Sequence, residues 1–329
     1  MAELLSRYTL SIGTAVAFLT GCGGYYAGNA PVTVFGYGAV QAPRSFKIYV
    51  ANIGNGTITT YEPSGTQTTP TIQTGSSDTD YLFGMAVGPD GKIYALNFHS
   101  LEVSNSSGTL TTFKPDGTPT TPTIQIKEDG YRSPVAVAVD QQGKIYILNS
   151  SHYDSPGFVR TYRPDGRPTK PTFKTSVNPS SIAIDANGKI YVTNDTGSHH
   201  WSVTTYLPDG TPTTPTITRG LHDPVSVAIG ADGTIYVANI TPGGPDGTGA
   251  GAISTYGADG TGPLERIRTG PSAPGAVALD AEGKIYLGSM HGGYSSSVKT
   301  YKLNGDRSRP TIRTGVDGPS AIAIHTSSS

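Results

Sequence analysis

Short apolar runs recur along the chain, separated by polar turns that carry glycine. The most regular is a β-branched stretch ending in tyrosine: Lys47-Ile48-Tyr49, Lys92-Ile93-Tyr94, Lys144-Ile145-Tyr146, Lys189-Ile190-Tyr191, Thr234-Ile235-Tyr236 and Lys284-Ile285-Tyr286. Successive tyrosines are 45, 52, 45, 45 and 50 residues apart. β-Branched and aromatic residues fit a pleated sheet. A period of this length predicts one multi-stranded unit per repeat, as in propeller blades of about 40–50 residues.

Each unit predicts four short strands. The first is Ala-centred, as in Ile182-Ala183-Ile184, Val227-Ala228-Ile229 and Val277-Ala278-Leu279. The second is the Ile-Tyr run, usually ending in Asn (Asn52, Asn97, Asn149, Asn194, Asn239). The third ends in an aromatic residue: Tyr61, Phe113, Tyr162, Tyr206, Tyr256 or Tyr301. The fourth begins at Pro70, Pro122, Pro171, Pro215 or Pro310. Turns such as Asp116-Gly117, Asp209-Gly210 and Asn304-Gly305 supply hairpin chemistry, because Gly takes positive φ at little cost. A proline lacks a backbone donor, which puts the fourth strand at the outer edge. The small Ala-centred strand belongs innermost, where blades converge.

The first unit, from Phe46, lacks an Ala-centred strand, and the last segment, Pro319-Ser320-Ala321-Ile322-Ala323-Ile324, supplies one. The expectation is an all-β, six-bladed propeller of four-stranded antiparallel blades, closed by the C-terminal strand completing blade 1. Closure leaves no open sheet edge between the termini.

The segment Pro-x-x-Ile-Ala-Ile-Asp-Ala-Asn-Gly-Lys-Ile-Tyr-Val-Thr-Asn, residues 179–194, resembles an NHL repeat. The resemblance extends over residues 46–325. It implies the six-bladed NHL-like group, which also resembles virginiamycin B lyase and the gluconolactonase-like propellers. That group includes sensor domains, RNA or protein binders and a few lyases, so the fold does not choose a function. The lyases need catalytic or metal-binding His near the central channel, and no residue here matches them one by one.

Composition narrows the classes. The 329 residues carry 14% charged side chains and a formal charge of -1. No global field recruits nucleic acid. The one cysteine, Cys22, excludes an intramolecular disulfide. It also stands in the most informative local context of the N-terminal region. Arg7, then an apolar stretch from Leu10 to Leu19, then Leu19-Thr20-Gly21-Cys22 resemble a bacterial lipobox. The stretch is shorter than the ~20 residues that span a bilayer. The domain reading is therefore a signal peptide over 1–21, lipidated Cys22 with a Gly- and Tyr-rich tether to residue 45, the propeller over 46–325, and a tail over 326–329. The implied address is the bacterial cell envelope, at the outer membrane if the organism is Gram-negative. The chain is read as a monomer.

Antiparallel pairing puts the two–three loops and four–one connections on one face and the short one–two and three–four turns on the other. The long connections vary, so a binding site belongs to their face. His99, His152, His199, His200, His222 and His291 fall there, with Asp195, Asp223, Tyr81, Tyr153, Trp201 and Tyr294. The candidate ligand-binding set is His99, Tyr153, Trp201, His222 and Tyr294, together with His152 and His199, which are also the catalytic candidates. A divalent metal is compatible with such a His-rich mouth, although no pair has strong metal spacing. No cofactor is predicted. The Asn at the end of each second strand reads as a loop cap, and Asp140, Asp185 and Asp280 as turn formers. Two functions remain. One is an exported, lipid-anchored binding or scaffold module whose partner is a protein, glycan or small molecule. The other is a lyase or hydrolase of the virginiamycin-lyase or lactonase kind. The chain shows no G-x-S-x-G, Walker, EF-hand or HExxH motif.

Overall fold

The computed structural model describes residues 45–75, 80–99, 107–127, 132–151, 155–196, 200–241, 250–270, 273–290 and 296–326. In chain order its strands are β1 (Phe46–Asn52), β2 (Thr57–Tyr61), β3 (Gln67–Gln73), β4 (Asp80–Val87), β5 (Ile93–His99), β6 (Ser107–Phe113), β7 (Pro119–Lys127) and β8 (Arg132–Val139). Then come β9 (Ile145–Ser151), β10 (Pro156–Tyr162), β11 (Pro168–Val177), β12 (Pro179–Ile184), β13 (Ile190–Asp195), β14 (Trp201–Tyr206), β15 (Pro212–Ile217) and β16 (Pro224–Ile229). The chain finishes with β17 (Ile235–Thr241), β18 (Ala250–Tyr256), β19 (Glu265–Gly270), β20 (Ala273–Leu279), β21 (Ile285–Met290), β22 (Ser297–Tyr301), β23 (Arg307–Ile312) and β24 (Pro319–Thr326). They form six four-stranded antiparallel sheets, five of them consecutive in sequence. The sixth has the order β24-β1-β2-β3. The closed propeller and its closing strand are as the repeat predicts.

Second strands are apolar at successive positions because both of their faces are covered. Ile48 and Val50 pack against the last blade with Tyr286 and Val298. Tyr49 and Ala51, pointing the other way, pack with Leu82 and Ile93 of the second blade. The same alternation repeats at every junction, giving six cores between six neighbouring blade pairs. Outer strands bury one face only, so β7 alternates between exposed and buried positions.

Two side-chain devices hold the sheets at their edges. In five blades the Thr before the third-strand aromatic donates its hydroxyl to the proline carbonyl of the outer strand: Thr60 to Pro70, Thr112 to Pro122, Thr161 to Pro171, Thr205 to Pro215 and Thr300 to Pro310, at 2.6–2.8 Å. At the centre, serines tie one inner strand to the next. Ser320 Oγ donates to the Leu82 carbonyl at 2.7 Å, and Ser180 Oγ to that of Pro224 at 2.7 Å. Ser226 Oγ accepts from the Val277 amide at 3.1 Å.

The turns differ in one respect from a simple Asp-Gly hairpin. Only the glycine takes positive φ, as at Gly117 (φ 87), and its amide donates to the carbonyl three residues back, Lys114. Asp116 stays in the ordinary region and its carboxylate accepts from the Thr118 amide and hydroxyl. This is a type I turn closed by a glycine bulge. Asp140, Asp185 and Asp280 form turns as predicted. Each also accepts a hydrogen bond from a buried tyrosine on the second strand: Tyr146 at 3.0 Å, Tyr191 at 3.2 Å and Tyr286 at 3.2 Å.

Candidate functional site

First strands begin on the face of the long connections. Where the chain turns into them, two kinds of corner occur. In the first, fourth and fifth blades the residue before the strand's proline has positive φ: Gly318 (62°), Asn178 (43°) and Asp223 (44°). Its carbonyl accepts from the amide just past the second-strand Asn: Ile53, Asp195 and Ile240. Glycine does this freely; Asn and Asp are the side chains that tolerate it best. In the second, third and sixth blades the corner is absent and the first strand extends further, from Asp80, Arg132 and Ala273.

The corner of the fifth blade carries the most distinctive chemistry among the described residues. His222 precedes Asp223, and its amide donates to Asn239 Oδ1 at 3.0 Å. Its ring lies against the indole of Trp201 from the fourth blade, with centroids 5.3 Å apart at 50°. Trp201 is the first residue of β14 and pairs across the sheet with Asp195. Protein packed around the Asp223 carboxyl and the nearby Asp195 charge together raise its pKa above the usual carboxylate range. The side chain is exposed, so solvent screens part of that effect. The result is an aromatic pair, half-buried, flanked by two carboxylates and spanning a blade junction.

Other predicted residues lie elsewhere. His99 is the last residue of β5 rather than a loop residue, and its Nε2 hydrogen-bonds Thr109 Oγ1 at 2.9 Å within the second blade. His99 therefore does not join Trp201 and His222. His152, Tyr153, His199, Tyr294 and Cys22 lie outside the described residues. Among the described residues no three His, Cys, Asp or Glu side chains come together as metal ligands. The Asn ring is held by protein. Asn52 Nδ2 donates to Thr59 Oγ1 at 3.1 Å while its Oδ1 accepts from the Asp317 amide at 2.9 Å. Asn97 is bound on both sides by Thr74. Asn149 and Asn194 bond through Nδ2 to their own strand carbonyls, and their buried Oδ1 atoms find no partner.

A second aromatic group stands at the mouth of the central cavity. Tyr81 (41% exposed) and Phe83 (37% exposed) lie on β4. Phe83 meets Phe98 edge-on at 5.5 Å and Tyr81 at 6.4 Å. The cavity, about 110 Å³, is lined by all six inner strands, including Phe83, Ser180, Ser226 and Ser320. Phe83 and Phe98 did not stand out as site residues in the sequence. The available signal was the departure of Leu82-Phe83-Gly84 from the Pro-led pattern of the other inner strands.

No family model matches the chain, and no curated protein matches its sequence. Solved structures are similar. The PQQ-bound form of aldose sugar dehydrogenase from Streptomyces coelicolor is 15% identical, with a TM-score of 0.54 over 85% of this chain and 91% of that one. A glucose dehydrogenase is 11% identical, TM-score 0.53, over 71% and 88%. The WD40 propeller domain of Doa1 is 11% identical, TM-score 0.51, over 84% and 81%. At these identities the likeness shows the propeller fold alone, and it joins enzymes and a WD40 domain alike.

Proposed function

We propose that this protein is an exported, lipid-anchored NHL-like propeller that binds a partner on its long-connection face, at the junction of the fourth and fifth blades. One observation carries the binding assignment: the Trp201–His222 pair, which is half-buried and flanked by Asp195 and Asp223. An aromatic anchor with polar groups at its rim is the ordinary composition of a recognition site. The partner is a protein, glycan or small molecule of the envelope. The address rests on Leu19-Thr20-Gly21-Cys22.

Trp201 is the sole tryptophan, so its fluorescence reads the site directly. Titration with solubilised envelope glycans and with envelope protein fractions is expected to shift Trp201 emission saturably. Trp201→Ala should weaken the binding so found by about 1–2 kcal/mol with little change in melting temperature. A fall in melting temperature with undiminished binding assigns Trp201 to packing and removes the site.

A second reading has the carboxylate pair behind it. Two acids whose surroundings push one pKa upward are the material of general acid–base catalysis. In a lyase or hydrolase of this kind, Asp223→Asn, His152→Ala and His199→Ala each abolish turnover and leave the propeller folded. Full activity in all three excludes that chemistry at this face.

A further inference from the structure

The chain enters the propeller at one face only. Phe46, the first residue of β1, pairs with Thr326, the last residue of β24. β24 starts at the long-connection face, where Pro319 pairs with Asn52, and ends among the short turns. β1 therefore begins at the short-turn face.

The same face carries an unusual set of side chains. Five large apolar residues are exposed among the described residues, and two of them are Tyr81 and Phe83 at the opposite mouth. The other three are Leu207 (42%), Leu264 (60%) and Leu303 (50%). Leu207 follows the last residue of β14, Leu303 stands two residues beyond the end of β22, and Leu264 precedes the first of β19. All three therefore sit at short turns, on three successive blades. Leu207 occupies a turn position where the first three blades carry Glu62, Lys114 and Arg163, and Leu303 the next position, where they carry Pro63, Pro115 and Pro164. Leu303 packs beside Gly283, as Pro115 packs beside Gly91 and Pro164 beside Gly143, yet half of its side chain stays exposed. One exposed leucine is unremarkable on any protein; here three successive blades each place one on the rim of the face at which β1 begins.

We infer that Leu207, Leu264 and Leu303 rest on the lipid bilayer that holds the anchor, so that the propeller stands short-turn face down and presents the Trp201–His222 junction away from the membrane. The inference rests on the lipid-anchor reading above. Tether length alone does not impose the orientation. The 24 residues from Cys22 to Ser45 extend to at most roughly 80 Å, while a seven-residue strand is only about 23 Å tall. The leucines supply the preference. The turns that carry them hold charges of both signs, including Lys302, Asp209, Asp259 and Asp306, so the contact does not depend on anionic lipid.

The native tryptophan and a placed one make a direct test. The full lipidated chain is reconstituted into phosphatidylethanolamine vesicles with brominated acyl chains, which quench indoles at the bilayer surface. Wild-type Trp201 fluorescence is expected to fall by less than about a tenth. In the double variant Leu264→Trp, Trp201→Phe the fall is expected to be about half or more. Equal quenching of the two, or stronger quenching of Trp201, overturns the orientation. If the double variant does not fold, hydrogen exchange on the vesicle-bound wild type decides. Protection gained over 258–264 and 302–306, but not over 220–223, supports the inference, and any other pattern overturns it. Palmitate incorporation at Cys22 is scored separately. Its absence sinks the anchor reading, and the same fluorescence pair at high vesicle concentration then judges the leucine surface alone, with no quenching counting against it.

Discussion

Asp223 combines two costs at one residue. Its φ of 44° is a conformation that glycine adopts freely, and Gly318 adopts it in the first blade. Surrounding protein and then the Asp195 charge also disfavour the charged form of its carboxylate. Asp223→Gly is expected to stabilise the fold by about 1 kcal/mol through the backbone alone. The electrostatic part has a definite sign. The folded pKa lies above the unfolded one, so the folded state holds its proton longer. The penalty is absent below the unfolded pKa of about 3.9 and is fully present once pH has risen through the folded value. Asp223→Asn, which keeps the backbone preference, should raise the melting temperature at pH 7 and leave it unchanged at pH 3. An equal gain at both pH values would falsify the electrostatic origin. A residue that costs stability on a ligand-accessible corner is the kind that function retains.

Buried tyrosines give the opposite case. Tyr146 is fully buried, and burial followed by the Asp140 charge pushes its phenol well above the ordinary range. Tyr94, which has no hydrogen-bonded Asp, is pushed up to about 12, by burial first and then by Asp90. Tyr146→Phe removes the hydroxyl from Asp140 Oδ2 on a carboxylate that is only 8% exposed. The expected loss is about 1–3 kcal/mol in urea unfolding, because a buried acceptor is left unmatched. Asp140 Oδ1 keeps the amides of Gln142 and Lys144, so the turn itself survives.

At the level of the strand, β24 is the element on which the others depend. It pairs with β1 over its whole length, contributes Ile322 to the core between the last and first blades, and through Ser320 reaches the second. Removing residues 318–329 exposes an edge of β1 and opens two junctions together. Full burial of an isoleucine contributes about 1.5–3 kcal/mol. Adding the ladder, the loss is comparable to a whole typical stability of ~5–15 kcal/mol. The truncated chain should unfold as a unit at much lower temperature, and a wild-type melting temperature would contradict ring closure. Outer strands behave differently. Five of the six are tied by a Thr hydroxyl to a proline carbonyl, so Thr112→Val should weaken the second blade locally, by about 1 kcal/mol.

For the molecule as a whole, topology separates two faces. Short turns made alike by the repeat fill one face, and the variable connections fill the other. Export and anchoring are tested by Cys22→Ser, which should leave the propeller's melting temperature intact and shift the protein from the detergent phase to the aqueous phase. Palmitate label that persists in the variant would contradict lipidation at Cys22. With the anchor in place, partner binding read by Trp201 should survive vesicle attachment, since the two faces are opposed.

The sequence by itself determined the blade. A two-residue alternation with both faces apolar, a glycine at each bulge and a proline in five of the outer strands leave one way to arrange four strands, and the orphan strand at residues 319–324 fixes the closure. These are local or periodic facts, and a repeat states them six times. What it could not state is which chemistry the ring brings together. Trp201 and His222 are 21 residues apart in sequence and belong to different blades; their rings meet only because blades four and five pack side by side. The tyrosine partners of Asp140, Asp185 and Asp280, the serines that bridge inner strands and the hydrogen bond of His99 to Thr109 depend likewise on packing across a sheet or a junction. Side-chain direction in a strand follows the pleat and is legible in sequence. Distance across a junction follows from how large side chains fill the space between sheets, and only the folded ring decides it.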